Sequence, residues 1–322
     1  MTEEDWRELS ALPRKWHCYA EDPYFRESWH DCQARFQTHV FEILQRVALV
    51  MFKPEAQFGD RFARTMRFLL GHGFQPVVGG SLLMNYWSCR ELWRFQWQEI
   101  ALPRIRACAF LTSLDESFLV LLLGSRPTDM PASTRLASLK GITSDDQNSL
   151  RALLGARGPI LSFVHISDEP ADVIRELGIL VDSAKRGDWL EAIGRAAVGS
   201  DRQEVDPRLV SWTKGRQGSQ NSALVARDVF LSDLCAKVQG EPVACDLLDR
   251  LSAGRPVEPE AVFQALESIG IRTSGWEAVA ITSACYDVPS YRENTPPLST
   301  ANCVGAWQQG EGRLAQPISP RS

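Results

Sequence analysis

Between residues 47 and 180, short and continuously apolar runs alternate with longer amphipathic stretches, and no other feature constrains the fold of this chain as strongly. Residues 47–52 read as a buried strand stopped at Lys53-Pro54, because proline cannot donate to a central ladder. Asp60 is placed to cap a helix in which Phe62, Met66, Leu69 and Leu70 keep the helical period and Gly71-His72-Gly73 ends it. Residues 77–84 read as a second strand, and 88–97 and 98–111 as helical, with Pro103 a candidate interruption of the latter. Residues 118–123, the longest apolar run, form the best central strand. A short helix at 134–139 precedes a long polar connection over 140–159, the kind of segment that often carries function. Residues 160–166 complete a fourth strand, and Ser167-Asp168-Glu169-Pro170 is a helix start. The order β-α-β-α-α-β-α-β-α predicts an α/β (α+β) domain over residues 47–181, compatible with a ferredoxin-like βαββαβ sheet carrying helices on one face.

The flanks read differently. Residues 1–46 form an N-terminal extension rich in aromatics, closing in a helix marked by Phe36, Val40, Ile43 and Leu44. Its His17, His30 and His39 lack the i, i+4 spacing that places two metal ligands on one helix face. Helical segments at 189–198, 223–238, 244–251 and 259–269 make residues 182–288 a mainly helical C-terminal region, with 202–221 a polar, flexible linker. Over residues 289–322 Pro, Ser, Gly and Gln accumulate while apolar residues thin out, which predicts a disordered tail. The tryptophans, among them Trp87, Trp93 and Trp97, read as core or domain-interface residues.

Composition excludes several classes. A chain of 322 residues with 44% hydrophobic side chains has core enough for more than one compact unit. A net charge of −5 from interspersed acids and bases shows no basic footprint, so nucleic acid is not an expected partner. No apolar run approaches the ~20 residues of a membrane-spanning helix. The acidic start Met1-Thr2-Glu3-Glu4-Asp5 is not that of a signal peptide, so a cytoplasmic protein with no membrane association is expected. The eight cysteines form no Cys-x-x-Cys pair and read as reduced, packed thiols.

Chemistry concentrates at His165, which follows an apolar strand and precedes Ser167-Asp168 at a helix start. Such a histidine is compatible with a hydrogen-bonded boundary residue or with an imidazole facing a pocket. Lys53 ends the first strand, and Arg135 and Arg151 flank the long connection leading back to His165. Fixed cations around one imidazole suit a polyphosphate, whose transfer spreads charge over phosphate oxygens that Lys and Arg stabilise. A neutral imidazole nitrogen can attack the terminal phosphorus and carry the group covalently. Without such convergence, Arg135 and Arg151 read equally well as solvated surface cations.

Several segments, in this order, resemble the nucleoside diphosphate kinase family. Leu49-Val50-Met51-Phe52-Lys53-Pro54-Glu55 is similar to its opening strand and Lys-Pro-Asp pattern, and Ser149-Leu150-Arg151 to its Thr-Ile-Arg. Phe163-Val164-His165-Ile166-Ser167-Asp168 is similar to its active-site segment, in which the pattern is His-Gly-Ser-Asp, and Glu176 falls where the family's glutamate orients the imidazole. The resemblance covers residues 47–180 and leaves both ends unexplained. It implies an enzyme that moves the terminal phosphate of a nucleoside triphosphate to a nucleoside diphosphate or related acceptor through a phosphohistidine at His165. Glu176 and Ser167 would position the ring, and Lys53, Arg135, Thr143, Arg151 and Ser162 would bind nucleotide or phosphate. The same resemblance implies magnesium held mainly by the nucleotide phosphates, with no metal ligands from the protein, and a homo-oligomer.

The chain departs from the family at defined points. Ile166 stands for the glycine after the histidine, and a β-branched residue there is expected to fill space beside the imidazole. Ser162 stands for an asparagine that contacts the nucleotide, and Phe95 or Trp97 lies nearest to the family's base-stacking aromatic. The alternative is therefore a catalytically degenerate nucleotide-binding or scaffolding module.

Overall fold

In the computed structural model, residues 2–98, 100–141, 148–156, 160–199, 227–273, 275–286 and 297–316 are described. Strands β1 (Val47–Phe52), β2 (Gln75–Leu82), β3 (Ser117–Leu123) and β4 (Val164–Ile166) form one four-stranded sheet in the order β2-β3-β1-β4. Every pairing is antiparallel, with Val50 opposite Val120 and Met51 opposite both Leu119 and His165. The protein is thus a mixed helix and sheet fold whose central strands, β1 and β3, are buried throughout.

Side chains alternate across a strand, so each central strand feeds two cores. Ala48, Val50 and Phe52 of β1 join Phe118, Val120 and Leu122 of β3 on one face. Helices α5 (Arg61–Gly71), α7 (Leu102–Ser113) and α8 (Ala132–Lys140) cover that face through Phe62, Leu69, Leu111, Leu136 and Ala137. Val47, Leu49, Met51, Leu119, Leu121 and Leu123 point the other way, toward α10 (Pro170–Leu180) and α11 (Ser183–Ala197). The N-terminal helices complete this second layer: α1 (Glu3–Trp6), α2 (Pro13–Tyr19), α3 (Pro23–Phe36) and α4 (Val40–Arg46) supply Trp6, Tyr19, Phe25, Phe36 and Leu44. Helices therefore lie on both faces rather than one. The reason is visible in the runs themselves, since a strand that is apolar at every position needs cover on both sides.

Two helices not yet introduced lie within the β-containing part of the chain. These are α6 (Tyr86–Leu92) and the short α9 (Leu150–Leu153). Pro103 does not interrupt α7 but sits in its first turn, where the missing amide proton costs nothing. Strand β4 is shorter than the strand expected over residues 160–166. Phe163 adopts φ +60°, a left-handed conformation that takes the chain out of the strand. The Glu55 carboxylate accepts from its N–H at 3.1 Å, and its carbonyl accepts from the Lys53 N–H at 2.9 Å.

Helices α12 (Arg227–Lys237), α13 (Pro242–Ser252) and α14 (Pro259–Ser268) build a third core from Leu231, Leu234, Leu248, Val262 and Leu266. Helix α15 (Gly275–Tyr286) gives Ile281 and Cys285 to that core and Val279, Ala280 and Tyr286 to the sheet's. Serving two cores leaves it apolar around its girth, so no periodicity marks it in the sequence. The expectation of a disordered tail is corrected over residues 297–316. There α16 (Thr300–Gln308) buries Cys303, Val304, Ala306 and Trp307, and the Trp307 indole donates to Glu169 at 2.8 Å. The polar residues that thin out its hydrophobicity are used as ties to the rest of the protein. The linker expected at 202–221 lies outside the described residues. No described helix is long and apolar enough to cross a membrane.

Candidate functional site

His165 is the middle residue of β4, an edge strand that pairs only with β1. Its neighbours Val164 and Ile166 point into the core shared with α5 and α8, so by strand alternation the imidazole points to the face covered by α10. Ile166 is fully buried on the side away from the ring and lies outside the left-handed region. The expectation that its side chain crowds the imidazole is therefore corrected. The chain does not need glycine's conformations there, because β4 is still extended at that position.

Glu176, on α10, meets the imidazole. Its Oε1 lies 2.9 Å from His165 Nε2, and its Oε2 accepts from the Ser167 hydroxyl at 2.5 Å. Ser167 is itself fixed by donating its backbone N–H to Leu49 of β1 at 3.3 Å. His165, Glu176 and Ser167 are thus brought together as one unit. The second ring nitrogen, Nδ1, lies 3.2 Å from the indole nitrogen of Trp93, whose ring meets the imidazole edge-on at 5.4 Å between centroids.

A cleft opens beside this unit, lined by Lys53, Arg104, Arg151, Trp93, Trp97 and His165, with Thr112 and Ser162 also in its wall. The imidazole side chain is 15% exposed, so a ligand in the cleft can reach it. Burial pushes the Arg151 guanidinium below the usual arginine range; the Asp168 carboxylate opposes that shift and Arg104 adds to it. Arg151 Nε is also buried with no hydrogen-bond partner among the described residues. An anion in the cleft would relieve both conditions. Lys53 faces the same space but is already engaged: its ammonium lies 2.8 Å from Glu55 and donates to the Ile160 carbonyl at 3.0 Å. Together Lys53 and Glu55 pin the segment that delivers His165.

The remaining expected residues separate. Arg135 is not brought to the cleft. It donates to the His72 carbonyl at 3.2 Å and stacks over Phe74 at 4.3 Å, next to Gly124 and hence at the far end of the sheet from Lys53. It lies in the early part of α8, whereas the helix's last residue is the one that reaches the His165 segment. There Lys140 donates to Asp168 at 3.1 Å. Thr143 lies outside the described residues. The cation that joins Lys53 and Arg151 in the cleft is Arg104, from the first turn of α7. The Pro103-Arg104 pair can mark a helix start and place that cation at it, but nothing local places it in the cleft. Trp93 and Trp97 pack against the second core and also line the cleft, whereas Trp87 is 71% exposed. Of the two aromatics near the family's stacking position, Phe95 turns inward against Tyr19 at 5.4 Å, leaving Trp97 at the cleft.

Behind the site lies a second, fully buried charge network. Lys15 lies 2.7 Å from Glu169 and also pairs with Asp172, which accepts from the Tyr19 hydroxyl at 2.7 Å. Glu169 further accepts from Ser10 and from the Ala11 N–H, both at 2.7 Å. Burial pushes the Asp172 carboxyl up to about 6 despite Lys15, with Asp168, Glu169 and Glu176 adding to the rise. Thr300 donates to Asp168 at 2.8 Å, so α16 closes the network from the C-terminal side.

No family model matches the chain, and no curated protein matches it. Among solved structures it aligns with the nucleoside diphosphate kinase of Aquifex aeolicus at a TM-score of 0.35 and 17% identity, over 44% of this chain and 97% of that one. A halophilic nucleoside diphosphate kinase from Halobacterium salinarum, in complex with CDP, aligns at a TM-score of 0.33 and 20% identity, over 43% of this chain and 89% of that one.

Proposed function

We propose that this protein is a phosphotransferase that takes the terminal phosphate of a nucleoside triphosphate onto His165 and passes it to a nucleoside diphosphate or related acceptor. One observation carries the reading. His165 presents an imidazole whose Nε2 faces the Glu176 carboxylate at 2.9 Å, in a cleft where Lys53, Arg104 and Arg151 converge. A proton held on Nε2 beside Glu176 leaves the lone pair on Nδ1. That nitrogen attacks the terminal phosphorus; the N–P bond forms as the bond to the leaving diphosphate oxygen breaks. The acceptor's terminal phosphate oxygen then attacks the same phosphorus and the N–P bond breaks. The cations stabilise charge on the equatorial oxygens in both halves. Residues 47–181 would form the catalytic unit, and their strand order, with crossover helices α5 and α8 on one face, supports a ferredoxin-like reading of it.

Magnesium does not fit the side chains of the cleft. None of the lining residues is a carboxylate, and among the described residues no group of three His, Cys, Asp or Glu could hold a metal ion. A metal would arrive on the nucleotide phosphates, and no step above depends on it.

The test is intact-protein mass spectrometry after brief incubation with magnesium and a nucleoside triphosphate, quenched under alkaline conditions that preserve phosphohistidine. Wild type should gain one phosphoryl group and His165→Ala none; absence of the adduct and of product from wild type would overturn the reading. The pairing of Lys53 with Glu55 favours a second reading, in which nucleotide binds without transfer. It predicts a rise in melting temperature with nucleotide and no adduct.

A further inference from the structure

We propose that Trp93 is a positioning residue that controls His165, holding the nitrogen through which phosphate would be accepted until a ligand displaces the indole. The inference rests on the phosphotransferase reading for its consequence but on the hydrogen bond that Nδ1 accepts for its evidence. An indole N–H can only donate, so the 3.2 Å contact from Trp93 Nε1 makes Nδ1 the acceptor. A neutral imidazole has one lone-pair nitrogen; if that is Nδ1, the proton is on Nε2, which faces Glu176 Oε1 at 2.9 Å. The Trp93 donor therefore selects the tautomer whose N–H lies on the Glu176 side of the ring. The tautomer is the reactive one, yet its lone pair is engaged, so attack requires the indole to move.

Helix α10 sets both contacts. Glu176 comes from it directly. Its neighbour Arg175, 1% exposed, donates to the Leu92 carbonyl at 3.3 Å and the Glu91 carbonyl at 3.0 Å, fixing the end of α6 where Trp93 follows. Arg175 is held in turn by Asp22 at 3.1 Å, in the N-terminal segment. The backbone leading into Trp93 is thus anchored, while its ring, paired with Trp97 at 5.1 Å, lines the cleft. A ligand entering the cleft meets the ring rather than the anchored backbone.

The test separates this inference from the phosphotransferase reading by using a small phosphodonor. Phosphoramidate transfers its phosphoryl group to an imidazole nitrogen as the P–N bond to departing ammonia breaks, and needs no nucleotide site. Trp93→Phe keeps an aromatic ring and removes the donor. It should be phosphorylated at His165 about fivefold to tenfold faster than wild type, the factor that one neutral hydrogen bond allows, with His165→Ala silent. Equal rates would overturn the proposal. Nitrogen-15 NMR of histidine-labelled wild type is the second measurement and depends on no variant folding. It should show a protonated Nε2 and a hydrogen-bonded, unprotonated Nδ1; a proton on Nδ1 would overturn the proposal. Faster phosphoramidate labelling without any nucleotide-derived adduct would uphold Trp93's role and sink the phosphotransferase reading. Nucleotide-derived adducts forming equally fast in wild type and Trp93→Phe would do the reverse.

Discussion

At the scale of single residues, the site is a set of charges whose partners decide what each can do. Lys53 and Arg151 share a cleft, but Lys53 is spoken for by Glu55, whereas Arg151 has a buried Nε without a partner among the described residues. An anion therefore gains more from Arg151. Glu176 has one oxygen on His165 and the other on Ser167, so it orients the ring from a fixed position. Glu176→Gln keeps the shape and removes the charge, and should slow phosphohistidine formation on the order of a hundredfold, read as the rate of adduct growth by mass spectrometry. An unchanged rate would mean that the carboxylate is only a packing group. Lys53, Arg151, His165 and Ser167 were legible in the sequence from the apolar runs and turn residues beside them, and Glu176, in the interior of α10, from the family resemblance alone. Arg104 and Trp93 were not, since their approach depends on how α6 and α7 pack.

At the scale of elements, α10 is the part that turns a strand-end histidine into a site. It carries Glu176, Arg175 and Asp172 of the buried network, with Glu169 as its N-cap, and it packs tightly against the N-terminal segment. Gly178 marks the tightest point: a Cβ there would sit 2.2 Å from the Tyr24 carbonyl oxygen, a backbone atom just inside α3. Gly178→Ala must push two helices apart, and should lower stability by about 1–3 kcal/mol or more, measured by urea denaturation. A variant as stable as wild type would show that α10 and α3 are not rigidly docked. The fourth strand teaches the converse lesson. The mainly apolar residues 160–166 read as one strand, yet Glu55 captures the Phe163 N–H and only Val164–Ile166 remains in the sheet.

At the scale of the whole molecule, the N-terminal segment and residues 297–316 meet behind β4. Lys15 from the N-terminal segment pairs with Glu169 and Asp172, while Thr300 and Trp307 from α16 donate to Asp168 and Glu169. Arg313 adds contacts with Glu4 at 3.1 Å and Glu8 at 2.8 Å. Removing the buried cation leaves its carboxylates facing one another without compensation. Lys15→Met should therefore destabilise the protein by about 3–5 kcal/mol, seen as a lower denaturation midpoint for the full chain. A midpoint within error of wild type would show that the network is dispensable.

The apolar runs and their turn residues by themselves determined the strands, most helices and the position of His165, because local periodicity and proline or glycine punctuation act over a few residues. The same local signals could not distinguish a sheet covered on one face from one covered on both, because the N-terminal aromatics declare their partner only when packed. Nor could they distinguish Arg135 from Arg104 as the cation of the cleft. Both are basic residues on helices, and only the direction in which α7 and α8 cross the sheet decides which one reaches the imidazole. Composition read residues 289–322 as a tail, whereas over 297–316 the folded chain supplies the Asp168 and Glu169 carboxylates that Thr300 and Trp307 satisfy. What the tertiary structure alone decided is pairing across long separations, where the gain depends on a partner that no local window contains.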